Sequence, residues 1–300
     1  MSEQYAPIVL FVYNRLEHTK STIECLKKNS LAKSSELFIF SDAAKNEQQK
    51  EKVQLVREYI HTITGFKKVE IVEAKQNKGL ARSIINGVST IIDKYGKVIV
   101  LEDDLLTSPC FLQYMNDALS FYEEEERIWS ITGYQYPFDI PSDYKESVYL
   151  SYRSSSWSWG TWKDRWETVD WNVSDFNQYK HSLRRIAHFC KGGTDLDKLI
   201  REQMCGNIDS WAIRWCYSQS FQNKYTVYPC KSLIENSGTD GTGTHFSQVS
   251  NRFQTKMVSN YDYKFSHMLK IDSVIMHRYR KIVNRSIVRK IKRLVGRVIK

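Results

Sequence analysis

The chain has 300 residues, 41% hydrophobic and 13% aromatic, enough to bury a core as one large unit or two small ones. No stretch reaches the roughly 18 apolar residues of a membrane-crossing helix, and the opening Met-Ser-Glu-Gln-Tyr lacks the basic start of a secretory signal. The net charge of +10 sits at one end: ten of the 44 Lys and Arg fall in residues 277–300, where no acid occurs, leaving 34 to balance 34 acids in residues 1–276.

The apolar run over residues 7–13 predicts a first strand buried on both faces, as in a parallel sheet covered by helices. A helix over 19–29 follows, then a strand over 37–40 ending at Ser41-Asp42, a charged amphipathic helix over 50–62 and a strand over 69–72. Asn77-Lys78-Gly79-Leu80 turns into a helix over 81–93, and a fourth strand starts at Val98. This alternation predicts a parallel sheet with crossover helices. The second half changes character: Trp157, Trp159, Trp162, Trp166 and Trp171 crowd together, a helix is expected over 195–204 and a strand over 225–228, and residues 236–245 form a polar, glycine-rich loop. Six cysteines show no CxxC or zinc spacing and read as reduced thiols. With no repeat and no linker, residues 1–276 are expected to form one unit and 277–300 a basic tail.

The fourth strand, Val98-Ile-Val-Leu101, runs straight into Glu102, Asp103 and Asp104. Ligands of open α/β sheets gather at the carboxyl ends of strands. Three acids there repel one another unless a cation or several donors compensate them. Carboxylates suit Mn²⁺ or Mg²⁺, and Mg²⁺ sites combine one or two of them with substrate phosphates. Alternation along an extended segment puts Glu102 and Asp104 on one side and Asp103 on the other. The plainer use, an acidic loop opening a helix at Phe111, is outweighed by the strand directly before it.

Other residues join this edge. Tyr13, Asn14 and Arg15 leave the first strand there, placed to line a base and ribose, and Lys78 and Arg82 offer charge to a diphosphate near a helix N-terminus. The loop with Gly238, Asp240, Gly241 and Gly243 could fold over that ligand, bringing His245 as a second metal or phosphate ligand and Asp240 as a fallback acid or base. Trp157, Trp159, Trp162 and Trp211 offer flat faces to a sugar, in competition with plain packing. Over 278–300, Val283, Ile287, Ile291, Leu294, Val295 and Val298 recur at helical spacing among Arg and Lys, a basic amphipathic helix suited to an anionic membrane surface. The neutral body and lack of a groove-reading motif argue against nucleic acid as partner.

Four segments carry a resemblance: Ile8-Val-Leu-Phe-Val-Tyr-Asn-Arg15, Asn77-Lys-Gly-Leu-Ala-Arg82, Leu101-Glu-Asp-Asp104, and Asn207-Ile-Asp-Ser-Trp211 with residues 236–245. Through them residues 5–250 resemble GT-A-fold glycosyltransferases of bacterial surface-polysaccharide synthesis, similar in layout to the inverting N-acetylglucosaminyltransferase I type. The acidic motif departs from the common Asp-x-Asp spelling by placing Glu102 first. The resemblance implies an α/β, Rossmann-like, mostly parallel sheet, with a nucleotide-binding half over 1–106 and an acceptor-binding half over 107–276. It implies a nucleotide-sugar donor, UDP-linked, a Mn²⁺ or Mg²⁺ cofactor, and hexosyl or N-acetylhexosaminyl transfer to a glycan or lipid-linked acceptor of polysaccharide or lipopolysaccharide. It assigns the metal to Asp104, the ribose, the sugar or metal-bound waters to Glu102 and Asp103, the uracil N3–H to Asp42, and the general base to Asp209. Asp209 is also placed as an N-cap of the helix entering at Trp211, a role compatible with the first. A cytoplasmic protein held at the inner face of the membrane follows from this reading. A sugar nucleotidyltransferase is the alternative enzyme, but Asn14-Arg15-Leu16-Glu17 stands where its glycine-rich phosphate loop belongs. An inactive membrane- or nucleic-acid-binding adaptor acting through the tail is the non-enzyme alternative; the intact acids weigh against it.

Overall fold

The computed structural model describes residues 5–240 and 251–284. In chain order these form β1 (Ile8–Val12), α1 (Leu16–Lys27), β2 (Glu36–Ser41), α2 (Lys50–Ile60), β3 (Lys68–Glu73), α3 (Leu80–Tyr95), β4 (Lys97–Glu102), β5 (Leu105–Thr107) and α4 (Phe111–Phe121). The second half adds β6 (Ile128–Thr132), β7 (Val148–Ser151), β8 (Trp159–Trp162), α5 (Lys163–Glu167), α6 (Phe176–Lys180), α7 (Leu183–Phe189), α8 (Asp195–Met204), α9 (Trp211–Phe221), β9 (Tyr225–Pro229), β10 (Ile234–Asn236) and α10 (Ser273–Val283). His245 and the tail from residue 285 onward lie outside the described residues.

Eight strands make one sheet in the order β3-β2-β1-β4-β8-β6-β9-β7. The first four pair in parallel, as the β-α alternation predicts, with β1 between β2 and β4. Beyond β4 the pattern turns mixed: β8 is antiparallel to β4 and β6, β9 is parallel to β6, and β7 is antiparallel to β9. Six strands thus share one direction, and β7 and β8 oppose it.

Every residue of β1 is buried, and its alternation splits it between two cores. Ile8, Leu10 and Val12 face a layer with Ile23 and Leu26 of α1 and Leu112 and Met115 of α4. Val9 and Phe11 face the layer of α3, where Ala81, Ile84, Val88, Ile91 and Ile92 recur at helical spacing. Burying such side chains is worth about 1.5–3 kcal/mol each, which is why a continuous apolar run can only be an interior strand. A smaller cluster joins α6 through α9 around Tyr179, Phe189, Leu196, Ile200 and Tyr217.

The strand at Val98 ends at Glu102, after which Asp103 and Asp104 turn the chain into β5. β5 does not join the large sheet. It pairs antiparallel with β10 alone, Asn236 opposite Leu105 and Ile234 opposite Thr107, and so brings the start of the glycine-rich loop to the acidic triplet. At the other end, α10 crosses the expected limit between body and tail: Met276, Tyr279 and Val283 are buried against the body.

Candidate functional site

Glu102 ends β4, and Asp103 and Asp104 follow it in a turn, not in the extended segment that alternation assumes. Glu102 and Asp104 line a cavity of about 320 Å³, and Asp103 points away into the protein. The Asp103 carbonyl accepts from Thr22 Oγ1 at 2.8 Å. Arg15 Nη2 pairs with Asp103 Oδ1 and, at 2.9 Å, with Asp104 Oδ2, while the buried Asp103 Oδ2 has no hydrogen-bond partner among the described residues. Arg15 is therefore the counter-ion of the triplet, a role its place after β1 did not specify. Burial opposes the Arg15 cation, but the Asp103 and Asp104 charges hold its pKa above the usual guanidinium range. Among the described residues Arg15 pairs with Asp103 and Asp104, and His18 adds a weaker favourable charge at Asp103. Burial first, then the charges of Asp104 and Asp103, push the Glu102 carboxyl up to about 8. Burial also lifts Asp103 to about 6, with Arg15 working against it.

An all-oxygen pair at the cavity wall, with excess negative charge, suits a hard divalent cation that completes its shell from phosphate and water. Among the described residues no group of three or more His, Cys, Asp or Glu side chains could hold an ion by itself. The donor set thus fits a cation shared with a ligand and does not make a closed protein cage.

The segment after β10 seals this corner. Ser237 donates to the Asp104 carbonyl from its backbone N at 2.8 Å and from Oγ at 3.1 Å. Asn236 Oδ1 accepts from Gly238 N at 2.7 Å. Any side chain at 238 would collide with Asp104 Oδ2, its Cβ standing 3.0 Å from Arg15 Nη1, so the close approach requires glycine.

The remaining donor-side candidates gather at a neighbouring strand edge. Asp42, after β2, accepts from the backbone N of Ala43, Lys78 and Gly79 at 2.9 Å and from Asn77 Nδ2 at 3.1 Å. Its carboxylate ties the Asn77-Lys78-Gly79 turn to the end of β2. Tyr13 OH donates to Gln49 Oε1 and accepts from Lys45 N at 2.9 Å, fixing the chain after β2. Lys78 and Arg82 are exposed, and of the donor-side candidates Arg15 and Glu102 line the cavity, whereas Tyr13, Asn14, Asp42, Lys78 and Arg82 do not.

Much of the remaining lining comes from the second half. Asp209 lines the cavity just before α9. It does not cap that helix: Ser210 is the N-cap, its Oγ accepting from Ile213 N at 3.4 Å. The Asp209 carboxylate instead meets Arg214 Nη2 at 2.9 Å. Arg214 also donates to the carbonyls of Ser210 at 3.1 Å and Trp171 at 3.4 Å, so its fork is fixed from three sides.

Trp157 and Trp211 line the cavity as expected of sugar contacts, but Trp159 and Trp162 do not. Both lie in β8, inside the sheet, 1% and 2% exposed. Trp159 stacks among Trp166, Trp211 and Trp215 at centroid distances of 5.1–5.5 Å. Trp162 Nε1 donates to the Leu119 carbonyl at 3.0 Å, and the Arg165 guanidinium lies over its ring. Sequence reasoning passed over Tyr134, Tyr136, Arg153 and Phe253, which also line the cavity. Arg153, isolated among serines and tyrosines, offered no pattern until the fold brought Asp195 to it.

No protein-family model and no curated protein matches the chain. Among solved structures it is similar to residues 1–349 of S. aureus TarS, at 10% identity and a TM-score of 0.41, over 79% of this chain and 62% of that one. The chain thus spans about three-fifths of that TarS fragment. It is also similar to the mannosyltransferase PcManGT from Pyrobaculum calidifontis in complex with GDP-Man and Mn²⁺, at 12% identity and a TM-score of 0.37, over 53% of this chain and 46% of that one. A third similar structure is a UDP-glucose pyrophosphorylase complexed with UDP-glucose, at 12% identity and a TM-score of 0.36, over 75% of this chain and 90% of that one.

Proposed function

We propose that the cavity transfers a sugar from a nucleotide-diphosphate donor, UDP-linked, to a hydroxyl of a glycan or lipid-linked acceptor in surface-polysaccharide or lipopolysaccharide synthesis. The observation that supports this is one cavity whose lining brings together Glu102, Asp104, Asp209, Trp157 and Trp211. Glu102 and Asp104 would hold Mn²⁺ or Mg²⁺. Bound there, the cation would neutralise charge growing on the departing diphosphate. Arg15 fixes the Asp104 carboxylate and adds positive charge to the same wall.

Asp209 takes the proton of the acceptor hydroxyl as its oxygen bonds to the anomeric carbon and the carbon–phosphate-oxygen bond breaks. Attack from the face opposite the leaving group inverts that carbon. Arg214 holds Oδ1 of the base and leaves Oδ2 outside that pair. Trp157 and Trp211 give the sugar apolar faces. Asp42, Lys78 and Arg82 belong in this reading to the nucleoside and diphosphate side. His245 would approach from the loop after Gly238; because Tyr279 and Val283 are buried against the body, the membrane contact proposed for 278–300 would fall to the basic residues beyond Asn284.

The test pairs two substitutions. UDP affinity should depend on Mn²⁺ in the wild type and lose that dependence in Asp104→Ala. Asp209→Asn should keep Mn²⁺-dependent UDP binding and lose turnover of the donor that a nucleotide-sugar panel identifies. Mn²⁺-dependent UDP binding that survives in Asp104→Ala removes the triplet from the site. Near-normal turnover by Asp209→Asn places the base elsewhere.

A further inference from the structure

The acceptor end of the cavity holds a cation that the transfer chemistry leaves unused. Arg153, two residues past β7, lines the cavity, whereas its partner Asp195, the first residue of α8, does not. Both Asp195 oxygens accept from a single nitrogen, Nη1, at 2.9 Å. The pair pins one corner of the guanidinium from behind and leaves Nε and Nη2 outside it. Such a planar fork fits a carboxylate or phosphate. Burial opposes the cation, yet the Asp195 charge holds its pKa well above the usual range, so Arg153 stays charged. Gly193 allows the enclosure: at φ 131°, a Cβ there would stand 2.6 Å from Asp195 Oδ1, 2.9 Å from Val283 Cγ2 and 3.2 Å from Arg153 Nη1.

Lys191 Nζ lies 5.6 Å from the ring centroid of Tyr152, which precedes Arg153. Burial raises the Tyr152 phenol, and the nearby Arg280 cation pulls it the other way. Arg252 donates to the carbonyls of Ile282 and Asn284 at the end of α10, and Asn284 Oδ1 accepts from Thr194 N at 2.8 Å. The end of α10 therefore lies beside the segment that pins Arg153. The Arg153 and Asp195 charges cancel each other as a pair.

We propose that Arg153 is the centre of a subsite for an anionic group on the acceptor, either a sugar carboxylate or a phosphate ester. The proposal rests on reading the cavity as a sugar-transfer site. A pair that served only to hold α8 against the loop after β7 would show no preference for charge.

The test measures binding of methyl glucuronide, glycerol 3-phosphate and methyl glucoside, with UDP and Mn²⁺ saturating the donor side. One anionic probe should bind about tenfold tighter than the neutral glucoside, the scale of one charge-assisted hydrogen bond. Glucuronide in the lead identifies a carboxylate, glycerol 3-phosphate a phosphate. Arg153→Met should erase the preference, and Arg153→Lys should keep part of it. Because Arg153→Met strands Asp195, the double variant Arg153→Met/Asp195→Asn is measured beside it, with circular dichroism to report folding. Equal binding of the three probes by the wild type, or a preference that survives in the folded double variant, overturns the proposal. Failure of UDP to bind would count against the donor reading alone. The same probes compared without UDP and metal then judge the subsite separately.

Discussion

Glu102→Gln isolates the charge imbalance at the end of β4. In an unfolded chain the Glu102 carboxyl loses its proton near 4.5; in the folded protein burial and the Asp104 and Asp103 charges push it up to about 8. The folded pKa is the higher one, so folding takes up a proton between those values. The resulting stability is fully present below 4.5 and disappears as pH rises through about 8. At about 1.36 kcal/mol per pH unit the full linkage approaches about 5 kcal/mol. Charge shared with Asp103 and Asp104, together with partial solvent access, reduces this to about 2–3 kcal/mol. Glutamine copies the protonated shape and cannot ionise. Urea unfolding in EDTA should therefore show the wild type about 2–3 kcal/mol less stable near pH 9 than near pH 6, with most of that slope missing in Glu102→Gln. Mn²⁺ competes with the same proton, so its affinity for the wild type should rise through this window and change less in the variant. Parallel stability curves for the two proteins would refute the reasoning, because they would mean that Glu102 is already ionised in the folded metal-free state.

Gly238→Ala forces a methyl group onto Asp104 Oδ2. Such overpacking costs about 1–3 kcal/mol, and because it displaces a candidate cation ligand, Mn²⁺-dependent UDP affinity should fall with the melting temperature. Unchanged values of both would show that residues 236–238 do not close on the triplet. Truncation after Asn284 should leave the melting temperature unchanged while releasing the protein from anionic vesicles. Truncation after Met276 removes the buried Tyr279 and Val283, and loss of a buried aromatic alone costs about 3–5 kcal/mol. Equal melting temperatures for the two truncations would refute the docking of α10; vesicle binding by the shorter-tailed protein would refute the membrane contact.

The legible parts of this chain are those whose structure is set by neighbours in sequence. β1 and β4 are continuous apolar runs because both faces are covered, and α3 repeats its buried residues every three or four positions. Glu102 and Asp104 line the cavity and Asp103 does not, but the turn after β4, not strand alternation, sets that arrangement. What stayed hidden depends on distant partners. β8 reads as Trp-Gly-Thr-Trp and became a strand only by pairing antiparallel with β4 and β6. Asp42 was visible as a strand-end carboxylate, but not the backbone donors that the Asn77-Lys78-Gly79 turn brings to it. The cap of α9 fell one residue later than expected: Ser210 takes the extended backbone from which its side chain reaches Ile213 N.

The tryptophans show how a side chain can serve a site without touching it. Trp159 and Trp166 are packing residues, yet the stack they build with Trp211 and Trp215 grips the first two turns of α9. Asp209 sits two residues before that helix, and Arg214, one turn into it, clamps the carboxylate while bonding back to Ser210 and Trp171. Trp171 stacks on Trp215 at 6.4 Å, so the carbonyl that holds Arg214 belongs to the same aromatic layer. Trp211 belongs both to the stack and to the cavity wall. Glu102 is the last residue of β4, whose Val100 pairs with Trp159. The β4–β8 ladder and the indole stack thus form a rigid path between the acids of the lining. Most of this tryptophan cluster is packing, the frame against which α9 and the Asp209–Arg214 pair are held.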